Sequence, residues 1–263
     1  MPDAIEQLRN ATERDLAAAI GKLGPTHRRR IMDAIEVYGS AAAIPPDVWE
    51  SIRRDVDQQS AAILLLLLVG TYGAQYRRTL RQIPPEQRGL VQPIDPDRLR
   101  SQAAPSAARA ATVVADEYVD SIRRRLETNI DAKAAEINEL PQKERAKVVR
   151  QEIEDAVGEE AAESTVVTNT TRGVTAAQQS AGDDIGRQAN VTMTLVWKTE
   201  RDSKVCPICR PLDGKTVDRW EAVLDANVVS ADVRATITSQ LGPPAHPRCR
   251  CRLEHVADVF SEN

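Results

Sequence analysis

The chain is poor in aromatic residues, at 3% of 263, with Phe260 the single phenylalanine. Packing therefore falls to alanine and the aliphatic residues, a composition that suits helices. Histidine is also scarce. His27, His246 and His255 are too few and too scattered to supply the paired acid and base of a hydrolase or nuclease. No phosphate-cradling G-x-x-x-x-G-K-[ST] loop occurs, and no G-x-S-x-G nucleophile elbow. The H-x-E half of the zinc deaminase signature is missing as well. The chain is accordingly expected not to be an enzyme.

Positive charge is not in surplus. The formal net charge is −4, which gives no global support for tight nonspecific binding to DNA. The arginine clusters at 28–30, 53–54, 77–78 and 123–125 have acidic neighbours, among them Asp33, Glu36, Asp55, Asp57, Asp120 and Glu127. They read as solvated helix faces with local ion pairs. Long apolar runs are lacking too. The most apolar stretch, 61–69, contains five consecutive leucines, Leu64 to Leu68, and is too short to span a bilayer. It reads as a helix buried on all sides, and no membrane partner is expected. The start, Met1-Pro2-Asp3, does not read as a signal peptide.

What is present is mostly helical periodicity. Helices are expected over about 2–23, 26–43, 48–81, 97–140, 142–157 and 159–188. Gly24-Pro25, Pro45-Pro46 and Pro141 serve as stops. Val114, Tyr118, Ile122 and Leu126 step by four along one face. Residues 82–97 carry four prolines and a glycine and read as a linker. The character changes at Val191, where β-branched alternation predicts a strand to Trp197. Asp213-Gly214 is a hairpin-type turn. Short helices over 218–224 and 230–241 and a strand over 252–259 complete the reading. The fold class is α+β, mainly α: a helical region over 1–190 and a small α+β module over 191–263.

All four cysteines lie in that module, in two clusters: Cys206-Pro-Ile-Cys209 and His246-Pro-Arg-Cys249-Arg-Cys251. Two cysteines at i and i+3 on a tight turn aim both sulfurs at one centre, and a second knuckle can complete a tetrahedron around zinc. Five donors, Cys206, Cys209, His246, Cys249 and Cys251, compete for four positions. An extended second cluster would put Cys249 and Cys251 on one face. The favoured set is the four thiolates, with His246 as substitute or outer partner. A disulfide, a redox pair and free thiols are the alternatives. A filled ligand set points to a structural zinc. Lys204, Arg210, Lys215, Arg248, Arg250 and Arg252 flank the clusters. They offset thiolate charge or, on a second reading, form a nucleic-acid surface.

The pattern Trp197-x-Thr199-x-x-Asp202-x-x-Val205-Cys206-Pro-x-Cys209-x-x-Leu212-Asp213-Gly214, followed by Pro243-Pro-x-His246-Pro-x-Cys249-Arg-Cys251, resembles the phage Mu F-like minor head proteins. Upstream, 165–186 resembles the helix that leads into this domain. Thr168 to Arg172 stand where the family has an Arg-Thr-Glu-like core, which is a departure. The resemblance implies a virion component of a tailed phage or prophage, in multiple copies near the portal vertex. Its implied partners are the portal protein and the major capsid protein, with DNA contact left open. Its implied place is the phage head, and the host cytoplasm during assembly. It implies a role in head morphogenesis and in DNA packaging or ejection.

Overall fold

The computed structural model describes residues 4–199, 205, 207–216, 243 and 249–257. Among them the chain is mainly helical, with one small antiparallel sheet. The helices are α1 (Ala4–Tyr38), α2 (Pro46–Gln82), α3 (Pro85–Arg88), α4 (Pro96–Leu126), α5 (Ala134–Glu139), α6 (Gln142–Val157) and α7 (Glu159–Ala189). Strands β1 (Met193–Lys198) and β2 (Arg252–Ala257) follow. The α+β, mainly α reading holds. The expected helices at 218–224 and 230–241 lie outside the described residues. No described helix is long and apolar enough to cross a membrane.

Two sequence expectations fail for physical reasons. Gly24-Pro25 does not end a helix; α1 runs through it. Proline removes a helical N–H and crowds the carbonyl four residues back, here that of Gly21. Pro25 and Gly21 are both exposed, so water can satisfy that carbonyl. Gly24 is buried on the opposite side, where a side chain would meet Val157 of α6 at 3.8 Å. The glycine marks close packing there, and α1 stops instead at Gly39, whose φ of 81° needs a residue without Cβ. The long helix expected over 97–140 is likewise divided. A π-turn at Glu127–Asp131 separates α4 from α5. It turns the Asp131 carboxylate onto the N–H groups of Ala41 and Ala42, at 2.9 and 2.8 Å.

The chain forms two compact units that do not follow chain order. One comprises Met1–Thr12, Leu64–Ala107 and Val167–Asn263, and the other Glu13–Ile63 and Ala108–Val166. In the second unit the stripe Val114, Tyr118, Ile122 and Leu126 is fully buried, as its spacing predicts. Leu16, Ile20, Ile52 and Ile153 join the core of that unit. Its arginines do pair, but these bonds run between helices rather than to the expected local neighbours: Arg30 with Asp55 at 2.7 Å, Arg28 with Glu154 at 2.7 Å and Arg53 with Asp116 at 2.7 Å.

In the first unit α7 is covered all round over 167–175 despite its threonines, and beyond that it exposes one stripe, Ala176, Ser180, Asp183 and Arg187. Leu64, Leu67 and Leu68 of the leucine run are buried, but Leu66 is 66% exposed. The run is therefore a one-sided core stripe, not a helix covered on every face. Tyr76 and Ile83 of α2 pack with Ala181, Ile185 and Ala189 of α7. The sheet register pairs Trp197 with Leu253 and Leu195 with His255. Alternation then puts Lys198, Arg252, Val196 and Glu254 on the other face.

The buried ring of His255 lies flat against α7 at Gly182. A Cβ at Gly182 would come within 2.2 Å of the His255 ring. Gly182→Ala should therefore destabilise the protein by about 2 kcal/mol, the cost of overpacking a filled site. A urea midpoint unchanged from wild type would contradict this close approach.

Candidate metal centre

The local sequence builds the site from three pieces. β1 delivers Trp197, which is fully buried. The chain returns through a 3₁₀ turn, Arg210–Leu212, and the Asp213-Gly214 turn, where Gly214 has φ +76°. This turn is fastened to β1. Gly214 N–H donates to the Trp197 carbonyl at 2.8 Å, and Trp197 N–H donates to the Lys215 carbonyl at 2.9 Å. The Asp213 carboxylate accepts from Thr199 N–H at 2.9 Å. Cys209 stands just before the 3₁₀ turn, and Cys251 immediately before β2. The sequence reading of Asp213-Gly214 as a turn is met.

Cys209, Cys249 and Cys251 come together, although 40 residues separate the first two. Their exposures are 1%, 1% and 5%. The three sulfurs all lie within 4.8 Å of one another. All three are free thiols. The Cys209 and Cys249 sulfurs are 3.8 Å apart. A tetrahedral zinc with Zn–S bonds of about 2.3 Å requires sulfurs about 3.8 Å apart. The donor set and its spacing thus fit a metal, and the extended second cluster does bring Cys249 and Cys251 to one side. Cys206 and His246 lie outside the described residues.

The surroundings favour charge neutralisation at the sulfurs. Trp197, Leu212 and Leu253 close an apolar core around them, with Leu195, Val205 and Ile208 packed against it. The neighbouring thiols of Cys249 and Cys251, and then burial, push the Cys209 thiol far above its ordinary value. A divalent cation reverses that preference, because it is bound by thiolates and releases their protons. A hydrogen bond with Cys209 lowers the Cys251 thiol, but the Cys249 thiol and burial outweigh it and push Cys251 up as well, with Trp197 opposing only weakly.

Two positioning contacts reach the second cluster from far away in sequence. Thr171 of α7 donates its hydroxyl to the Cys249 carbonyl at 2.6 Å. Arg9 of α1 donates Nη1–H to the Arg250 carbonyl at 2.6 Å. Sequence reasoning missed both. Thr171 lies in the stretch that departs from the family pattern, and its run of β-hydroxyl residues on a buried helix was the available signal. Nothing in the sequence marks Arg9.

Residues 131–254 match the family model described as phage Mu protein F like protein. This stretch is Mu F-like. The match begins upstream of the cysteine module, at the end of the π-turn, and runs through α5, α6 and α7 into β2. It bears out the resemblance carried by the cysteine pattern. Comparison with curated proteins and with solved structures gave no significant match. The Mu F-like family suggests a phage head morphogenesis protein, and hence a virion component. The family is generally structural.

Proposed function

We propose that the chain is a structural minor head protein of a tailed phage or prophage, present in multiple copies at the portal vertex. In this reading it acts in head morphogenesis and in DNA packaging or ejection, and catalyses no reaction. The observation that carries the reading is the Mu F-like match across the buried cysteine cluster. Cys209, Cys249 and Cys251 would hold a structural zinc, with Cys206 or His246 as the fourth ligand. Zinc held this way joins the two cysteine clusters and contributes folding free energy directly.

The helical segments outside the match, 1–130, are the proposed contacts with the portal protein and, beyond it, the major capsid protein. Each unit carries exposed apolar residues there, Leu66 and Leu90 in the first and Val37 in the second. Co-expression with the portal protein of the same phage should yield a stable complex by affinity purification. In assembled heads, labelled protein should mark one vertex. Label spread evenly over all vertices, with no portal complex, would overturn the reading.

A second reading is contact with nucleic acid. Arg78, Lys198 and Arg252 converge on Glu254, at 2.6, 3.9 and 3.8 Å. These three cations gather on the sheet face that carries Val196 and Glu254. If that face binds DNA, affinity should fall steeply with salt.

A further inference from the structure

The second cysteine cluster is gripped at its backbone. Arg250 sits between Cys249 and Cys251, and its carbonyl accepts from Arg9 at 2.6 Å. Arg9 is 2% exposed. We propose that Arg9 is the charge-compensating, positioning residue of the metal centre, supplied by the first helix. This rests on the zinc reading above.

Four ligands of which at least three are thiolates leave negative charge on a zinc site, and in an apolar surround that charge is poorly screened. Cations and N–H donors just outside the ligands then set ligand basicity and metal affinity. Arginine suits that place because it stays protonated at every relevant pH and is weakly hydrated. A guanidinium is costly to bury without acceptors, and the Arg250 carbonyl supplies one at the cysteine cluster. The position fits, since the contacted carbonyl belongs to the peptide that joins Arg250 to Cys251.

Among the described residues, three of the cations that local sequence offers are placed otherwise. Arg210 and Lys215 are exposed. Arg252 turns to Glu254. Arg9 brings a buried positive charge to the cluster across 241 residues of chain. Thr171 grips the adjacent carbonyl with a neutral hydroxyl, which separates the two roles: Thr171 fixes the backbone, and Arg9 fixes it and adds charge.

The test uses the full chain and zinc itself. Zinc affinity is measured by competition with a chromogenic chelator, for wild type, Arg9→Gln and Arg9→Lys. Glutamine keeps a neutral donor for the Arg250 carbonyl, whereas lysine keeps the charge and loses the planar fork. Arg9→Gln should weaken zinc binding about 10- to 100-fold, the range seen when outer partners of a metal site are removed. Arg9→Lys should stay close to wild type. The pH at which half the zinc is released should move up in Arg9→Gln, because protons then compete better for the sulfurs.

Equal zinc affinity and equal release pH in wild type and Arg9→Gln would overturn the charge role while leaving the metal reading intact. A wild type that binds no zinc would overturn both. Should Arg9→Gln not fold, Arg9→Lys decides. Affinity held near wild type supports the charge role, and a large loss despite the retained charge overturns it.

Discussion

Cys249→Ser should strip the protein of zinc and disorder the C-terminal segment around the sheet. Elemental analysis should go from about one zinc per chain, the count for one tetrahedral site, to none. Cys249 shares its buried pocket with Cys209 at 3.8 Å and with Cys251. A serine there leaves a hydroxyl that binds zinc poorly and a polar group in an apolar core. Trp197, Leu212 and Leu253 form that core with the three cysteines, and among the described residues these six are too few to hold it without a staple. Structural zinc supplies apparent folding free energy of about 10–16 kcal/mol in isolated zinc-finger peptides. Here α1, α2 and α7 also hold the segment, so a loss of several kcal/mol is expected. Tryptophan fluorescence should shift to the red as Trp197 meets water. Treating wild type with a strong chelator should reproduce the change. If purified wild type contains no metal, and Cys249→Ser matches it in stability, the centre is a thiol cluster and nothing more.

Acid should unfold the second compact unit selectively, through His27. This imidazole is fully buried, 3.6 Å from Asp55 and tilted against Tyr118 with ring centroids 6.0 Å apart. Burial, only partly opposed by Asp55 and reinforced by Arg30, lowers its pKa from 6.5 to about 4. The native state therefore resists the proton that the unfolded chain accepts. Stability from this group is complete above about pH 6.5, falls as pH drops, and is lost by about pH 4. The shift corresponds to about 3 kcal/mol at most. His255 in the first unit is shifted down by burial too, so global unfolding mixes the two. Hydrogen exchange resolves them. Amides of 108–126 should lose protection between pH 6.5 and 4.5 in wild type and much less in His27→Gln. The same pH slope in both proteins would show that His27 is not the sensor.

The parts of this fold that were legible in the sequence are those governed by local rules. The stripe Val114 to Leu126, the strand ending at Trp197, the Asp213-Gly214 turn and the break at Pro141 all follow from spacing and turn chemistry. Gly24-Pro25 misled because local rules cannot say which side of a helix faces solvent; an exposed proline opposite a buried glycine is tolerated. The π-turn before α5 escaped because its cause is tertiary, the reach of Asp131 to Ala41 and Ala42. At the candidate site the spacing pointed to two cysteine clusters that meet, and Cys209, Cys249 and Cys251 do lie together. Their supports were not readable. Arg9, Thr171 and Gly182 owe their roles to packing between elements distant in sequence.

The bond from Arg9 to Arg250 also has a consequence in time. It joins positions 241 residues apart, and the unit it belongs to takes both the first dozen residues and the last hundred or so. A ribosome adding about 5–20 residues per second needs about 10–50 s to make Arg250 after Arg9. Until then the start of α1 and the leucine stripe of α2 are without the strands and cysteine cluster that share their unit. Folding of that unit is therefore closed by the end of the chain. Newly made apolar surface stays open to solvent, or to a chaperone, through most of synthesis. A nonsense mutation anywhere before Arg250 would leave the first helix without its anchor.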